Sequence, residues 1–283
     1  MNNARLQKLS KKLIANKLDW LALVPSPSFI YLSGIHSHVS ERPVVLFVGA
    51  NGQVGIIIPT LEAMKAEAVG ISAENIFAWS DQAGYHDAFA QAAIKLKLAN
   101  TRIGVEALKM RVLESDLLSE IAHAQVAHAD AVMDSLRLRK DADEIAAIQH
   151  AVNVAEAAMT AFLPSIKIGM TEKALAAKLT QAMLDAGADD VTFASIVSAG
   201  PNTASPHAVP TNRPIQSGEL LILDWGARVG DYVSDITRTY ALGEISDTLR
   251  NIYAIVQASN AAGVAACRPN ITGAEIDKAA RDV

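Results

Sequence analysis

The sequence predicts two domains of different class, an α/β unit followed by an α+β unit. Three features of its 283 residues carry that prediction. Up to about Asp134, short apolar strands alternate with helical stretches. Beyond that point two helices precede a block of strands, and a further helix follows. Between the halves runs the polar connector "SLRLRKDADE". The expected boundaries are residues 1–134 and 135–283, and the length suits two domains at roughly 100–200 residues each.

In chain order, "MNNARLQKLSKKLIANKLDW" places Leu6, Leu9, Leu13 and Ile14 on one face of an opening helix. "WLALVP" reads as a short apolar strand. "PVVLFVGANGQVGIIIP" reads as a hairpin, its Val/Ile-rich arms flanking Ala50-Asn51-Gly52-Gln53, and Asn-Gly is a strong turn signal. Strands are expected at "NIFAWS" and "TRIGVEA", and helices at "YHDAFAQAAIKLKLA" and "RVLESDLLSEIAHA". After the connector, Asp141 and Glu144 have the spacing of a capping box for a helix reaching about Leu163. Thr171 can cap "EKALAAKLTQAMLDA", which Gly187 ends. Strands then fit "VTFASIVSAG", "ELLILDWGA" and "YVSDITRTYAL", before a helix from about Ser246 to Ala266. "IKIGMTEKALAAKL" and "CRPNITGAEIDKAAR" resemble each other, as two similar capped helices or as a duplicated half-domain would.

Composition narrows the function classes. Hydrophobic residues make up 51% and charged residues 19%, a core-forming balance unlike that of disordered chains. The net charge of −5, without a basic tract, argues against nucleic-acid binding. A single cysteine, Cys267, permits no internal disulfide, which suits a reducing compartment. The N-terminus lacks the apolar run of a signal peptide, and no stretch reaches the ~18 apolar residues of a membrane span. A cytoplasmic location and no membrane contact are expected.

The chemistry concentrates in "LLILDWGARVGDYVSDITRTYAL". Aspartate is depleted in strands, and a charge among aliphatic residues is costly unless paired or ligated. A hairpin centred between Val229 and Gly230 would set Asp224 opposite Asp235. Cβ atoms of opposed residues lie ~4.5–5.5 Å apart, where like charges destabilise a sheet. A shared proton would relieve the repulsion. So would one cation, or two ~3.5–4 Å apart. Oxygen donors suit Mn²⁺ or Mg²⁺, and an imidazole adds affinity for Zn²⁺ or Co²⁺. His207 lies upstream, in a loop between Pro206 and Pro210.

These segments resemble the pita-bread metallopeptidases, the group of Xaa-Pro aminopeptidases, Xaa-Pro dipeptidases, methionine aminopeptidases and creatinase. The resemblance rests on the loop histidine, then Asp224-Trp225-Gly226, then "GDYVSDITRT", all in order. "FIYLSGIHSHVSERP" and "LRLRKDADEI" extend it over the whole chain. It implies a creatinase/prolidase-type α/β N-terminal domain and an α+β pita-bread catalytic domain that is incomplete at its C-terminus. It implies that Asp224 and Asp235 are ligands of two divalent ions, Mn²⁺ first and Co²⁺ or Zn²⁺ as alternatives, with Asp235 bridging. His207 would be the catalytic and substrate-contacting residue. A hydroxide held by the ions would attack the carbonyl of an N-terminal residue that precedes proline, so the partners are small peptides with proline at position two. A homodimer is expected of the complete enzyme. Tyr232 and Arg238 match the motif as supporting residues, whereas His36 and His38 read as surface residues.

The resemblance also implies a further His and two Glu ligands that have no match before "GAEIDKAARDV". A truncated, inactive piece of a longer enzyme is therefore the expectation for residues 1–283. The alternatives are a non-catalytic pita-bread module that binds peptides or proteins, and a metal-free, creatinase-like amidinohydrolase. The retained aspartate pair speaks for the peptidase.

Overall fold

The structure, a computed structural model, describes residues 1–283. It divides into two compact units, Met1–Asp141 and Ala142–Val283. No helix is long and apolar enough to cross a membrane.

The first unit runs α1 (Asn3–Ala15), β1 (Trp20–Leu23), α2 (Pro27–Ser33), β2 (Val45–Gly49), β3 (Val54–Pro59), α3 (Ala63–Ala68), β4 (Ile76–Trp79), α4 (His86–Lys95), β5 (Arg102–Val105), α5 (Val112–Glu120), β6 (Gln125–His128) and α6 (Asp130–Arg137). The strands form one six-stranded mixed sheet in the order β4-β3-β2-β1-β5-β6. Both faces are covered. One core gathers Leu21, Leu23, Leu46 and Ile56 with Leu9, Leu13 and Phe29, and the other gathers Trp20, Ala22, Phe47 and Ile57 with Phe89 and Leu118. The expected β2–β3 hairpin is present. Gly52, at φ 83°, follows a turn closed by its N–H donating to the Gly49 carbonyl, so this is a three-residue loop with glycine in the left-handed position.

The unit ends at Asp141, beyond the expected Asp134, because the chain after β6 folds into α6. Val132, Met133 and Leu136 of α6 join the core that holds Leu9 and Phe29. The connector's basic residues Arg139 and Lys140 are exposed.

The second unit runs α7 (Ala142–Phe162), α8 (Glu172–Asp185), β7 (Asp190–Val191), β8 (Ile196–Ala199), β9 (Glu219–Trp225), β10 (Ala227–Val229), β11 (Tyr232–Val233), β12 (Ile236–Leu242), α9 (Asp247–Ala266) and α10 (Gly273–Arg281). Thr171 caps α8, its Oγ1 accepting from the Ala174 N–H at 3.2 Å, and Ser246 caps α9 from its own side chain. The expected strand at "VTFASIVSAG" is interrupted. The Thr192 N–H is drawn to the Gly226 carbonyl at 2.8 Å, and pairing resumes at Ile196.

Two three-stranded sheets result, β11-β10-β7 and β12-β9-β8. The second turns Leu221, Leu223 and Trp225 toward α7 and α8. The Trp225 indole N–H donates to the Ala155 carbonyl at 2.9 Å, tying β9 to α7. By contrast α9 and α10 bury no residue, and Ile255, Val256 and Val264 of α9 are exposed.

Candidate metal centre

Along β9 the side chains alternate. Leu221, Leu223 and Trp225 are buried, while Leu220, Ile222 and Asp224 are partly exposed. This period of two puts Asp224 on the face opposite the core. Its cross-strand neighbours there are Ile196 of β8 and Thr237 of β12.

The register differs from the expected one. Val229 pairs with Tyr232, so the hairpin turns on Gly230 and Asp231 rather than between Val229 and Gly230. A two-residue turn matched to strand twist needs a left-handed residue, and Gly230, at φ 58°, supplies it at the first position. Asp224 therefore opposes Thr237, not Asp235. Continuing the register from Ile236 and Trp225 brings Gly226 opposite Asp235. The two aspartates are then diagonal neighbours, a looser arrangement than direct opposition.

Gly226 sits where the ribbon passes from one sheet to the other. A Cβ there would collide with the Ser234 carbonyl oxygen and meet Thr192 Oγ1 at 2.9 Å. The glycine of Asp224-Trp225-Gly226 thus answers a steric demand. Ser234 is buried, its hydroxyl accepts from the Ala227 N–H at 3.0 Å, and Asp235 follows it into solvent.

The environment of Asp224 is electrostatically unfavourable. Burial pushes its carboxyl above the usual range and Asp235 adds to the rise, while the Thr237 hydroxyl and His207 oppose it. Its Oδ1 is buried and has no hydrogen-bond partner. A buried carboxylate oxygen left unsatisfied beside a second carboxylate is the setting in which a divalent cation is favourable. The donor chemistry therefore fits an oxygen-ligated ion. No group of three or more His, Cys, Asp or Glu side chains in the chain assembles with metal-binding geometry.

His207 is exposed on the loop between β8 and β9, with the neighbouring Ala208 buried. It is close enough to Asp224 to act on it electrostatically. Tyr232 donates from its hydroxyl to Glu144 Oε1 at 2.9 Å and so ties the hairpin to α7, whereas exposed Arg238 donates only to the carbonyl of its own neighbour Thr237 at 2.8 Å.

Residues 146–283 match Metallopeptidase family M24, and residues 5–139 match the Creatinase/Prolidase N-terminal domain. An Xaa-Pro dipeptidase of Lactobacillus helveticus is 30% identical over 292 residues, spanning 98% of this chain and 76% of that protein. The chain belongs to metallopeptidase family M24. Its pita-bread fold and creatinase-type N-terminal domain are also those of a dipeptidase from Pyrococcus horikoshii OT3, whose structure superposes with a TM-score of 0.87 at 30% identity over 98% of this chain and 76% of that one. An uncharacterized peptidase of Bacillus subtilis is 39% identical over 162 residues, which are 57% of this M24 chain and 46% of the Bacillus protein. The M24 chain thus matches under half of that relative and about three quarters of the other two.

One feature of the site had no signal in the sequence. Glu172, in the first turn of α8, looks like an acidic residue placed for the helix dipole. In the fold it is fully buried and bonded to the loop that carries His207.

Proposed function

We propose that the chain carries part of the site of a metal-dependent peptidase that releases an N-terminal residue from proline at position two, with Asp224 and Asp235 as ligands of divalent ions and His207 as the residue that meets the reacting amide. The observation that supports this most is the partnerless, buried Oδ1 of Asp224 beside a second carboxylate. The likeness to an Xaa-Pro dipeptidase supplies the substrate class. All-oxygen donors favour Mn²⁺ over softer-ligated metals.

Bound divalent ions would supply Lewis acidity toward the peptide carbonyl and lower the pKa of water. The protein's own contributions are positional. The β9–β12 ladder holds the two carboxylates on one ribbon. Thr237, opposite Asp224 in that ladder, favours the ionised form of its carboxyl. His207, outside the ribbon and exposed, is free to donate a hydrogen bond to the scissile amide and to follow its charge as it changes. Two carboxylates alone bind a divalent ion weakly, since they repel each other until an ion or a proton arrives.

The test is Mn²⁺ binding by the 283-residue chain, followed by electron paramagnetic resonance, with release of the N-terminal residue from an Xaa-Pro dipeptide measured in parallel. Asp224→Ala and Asp235→Ala should each weaken binding at least tenfold. His207→Ala should leave binding intact and, where hydrolysis is measurable, lower kcat/KM by roughly 10²–10⁴-fold, the span of a positioned acid–base group. Unchanged Mn²⁺ affinity in both aspartate variants would overturn the ligand assignment. Loss of the metal in His207→Ala would make His207 a ligand instead.

A further inference from the structure

We infer that Glu172 is the positioning residue for His207, a buried carboxylate that ties together the two ends of the histidine's loop. The inference rests on the reading of His207 given above and adds the device that sets where His207 stands.

The loop leaves β8 at Ala199 and returns beside the start of α8. On the outgoing side, Glu172 Oε1 accepts from the Ala199 N–H at 2.8 Å, and Oε2 accepts from the Asn202 side-chain amide at 3.0 Å. On the returning side, Oε2 accepts from the Thr211 N–H at 2.9 Å and the Thr211 hydroxyl at 2.7 Å. All four donors are neutral, and all belong to the loop or its base. His207 lies between Asn202 and Thr211, so the segment that carries it is closed at both ends on one side chain.

The start of α8 completes the closure. The Glu172 N–H donates to the Arg213 carbonyl at 3.2 Å and the Lys173 N–H to the Thr211 carbonyl at 3.1 Å, satisfying first-turn amides that a helix cannot satisfy internally. Just ahead, the Gly169 N–H donates to the Ile215 carbonyl at 3.0 Å, the Ile215 N–H donates to the Met170 carbonyl at 2.9 Å, and Thr171 bridges Pro214.

A carboxylate is the side chain this geometry needs. The Ala199 and Thr211 amides are fixed donors that approach different oxygens. Glutamine has the same shape but only one acceptor oxygen, so one of those two amides must face an NH₂ group. Asn202 and the Thr211 hydroxyl can reorient, but a backbone N–H cannot. Glu172→Gln therefore opens the loop at one end without removing packing volume.

The test compares Glu172→Gln, Thr211→Val and Glu114→Gln in the full chain. Glu114 is the control, a fully buried carboxylate of the first unit bonded to Arg111. Hydrogen exchange is read at amides 200–211, and the His207 ring is followed by NMR. Glu172→Gln should speed exchange in the loop by roughly tenfold, the penalty of one unsatisfied buried donor, while α7 and β9 stay within about twofold. The His207 resonance should move toward that of a free histidine. Thr211→Val, which removes one donor to Glu172 and the acceptor of the exposed Arg213 N–H in an isosteric frame, should shift both readouts the same way by less. Glu114→Gln should lower the melting temperature and leave both untouched. Wild-type exchange and a wild-type His207 resonance in folded Glu172→Gln would overturn the inference. So would an increase spread equally over α7, β9 and the loop, which would make Glu172 a general stability residue. If the loop loosens as expected while His207→Ala leaves hydrolysis unaffected, the clamp stands and the role given to His207 fails.

Discussion

The sheet of the first unit and the β12-β9-β8 sheet of the second treat adjacent residues differently. Every residue of β1 and β2 is buried, because helices cover both faces of the six-stranded sheet. In β9 only Leu221, Leu223 and Trp225 are buried, and their neighbours line a face on which Asp224 stands. A two-sided core leaves no place for an unpaired charge. A one-sided sheet keeps its strand rigid through one face and leaves the other for a carboxylate that would otherwise prevent folding. The candidate centre occupies the half-covered sheet for that reason.

The largest effect expected from this contrast separates neighbouring positions. Leu46→Ala and Phe47→Ala in β2 point to opposite faces of the first sheet, and each should cost about 2–5 kcal/mol. In β9, Leu223→Ala should cost as much, while Ile222→Ala should cost about 1 kcal/mol or less. Urea midpoints of the four variants measure this, and equal losses at Ile222 and Leu223 would remove the distinction between the two sheets.

Asp224→Asn sharpens the same contrast from the other side. Without metal, the folded protein holds a carboxyl whose pKa is raised, chiefly by burial. The folded state then binds that proton more tightly than the unfolded chain does. The cost of the charge appears as pH rises past the unfolded value and is complete above the folded one. Asp224→Asn should therefore raise the melting temperature of the metal-free protein by about 2 °C at pH 7 and leave it unchanged near pH 3. A lower melting temperature at pH 7 would show that the Asp224 carboxylate is well satisfied.

How much of this was legible in the sequence depended on how local the cause was. The cap at Thr171 was readable because a cap acts within three residues. The aspartates stood out because they interrupt apolar strands. Their register did not, since the left-handed requirement at Gly230 shifts the turn by one residue and changes every cross-strand partner. Strand β6, "QVAH", was missed because no residue of it is fully buried and its text lacks an apolar pattern. Glu172 was invisible for a different reason. Its partners at Ala199 and Thr211 are distant in the chain, and nothing in "MTEKAL" hints at them.

The smallest expected effect lies at the base of the His207 loop. Glu219 accepts from Arg213 Nη1 at 3.0 Å, and this partner holds its carboxyl below the usual range. A depressed carboxyl contributes stability above its unfolded value and loses it as pH falls through the folded one. Solvent reaches both side chains, so the contribution should stay below about 1 kcal/mol. Glu219→Gln should flatten the fall in stability between about pH 5 and pH 3, as measured by urea unfolding at each pH. An unchanged slope would mean that the pair closes the loop without stabilising it.

Gly226 has a consequence for how this chain can vary. A side chain there has nowhere to go, because both obstacles belong to the strand and loop that cross it, one being a backbone carbonyl. In a library with every codon randomised and sorted only for folded protein, position 224 should admit asparagine and its relatives, whereas position 226 should return glycine alone. A second sort for hydrolysis would then narrow position 224 and leave position 226 as it was. The order in which the two positions narrow would separate residues retained for the path of the chain from residues retained for an ion.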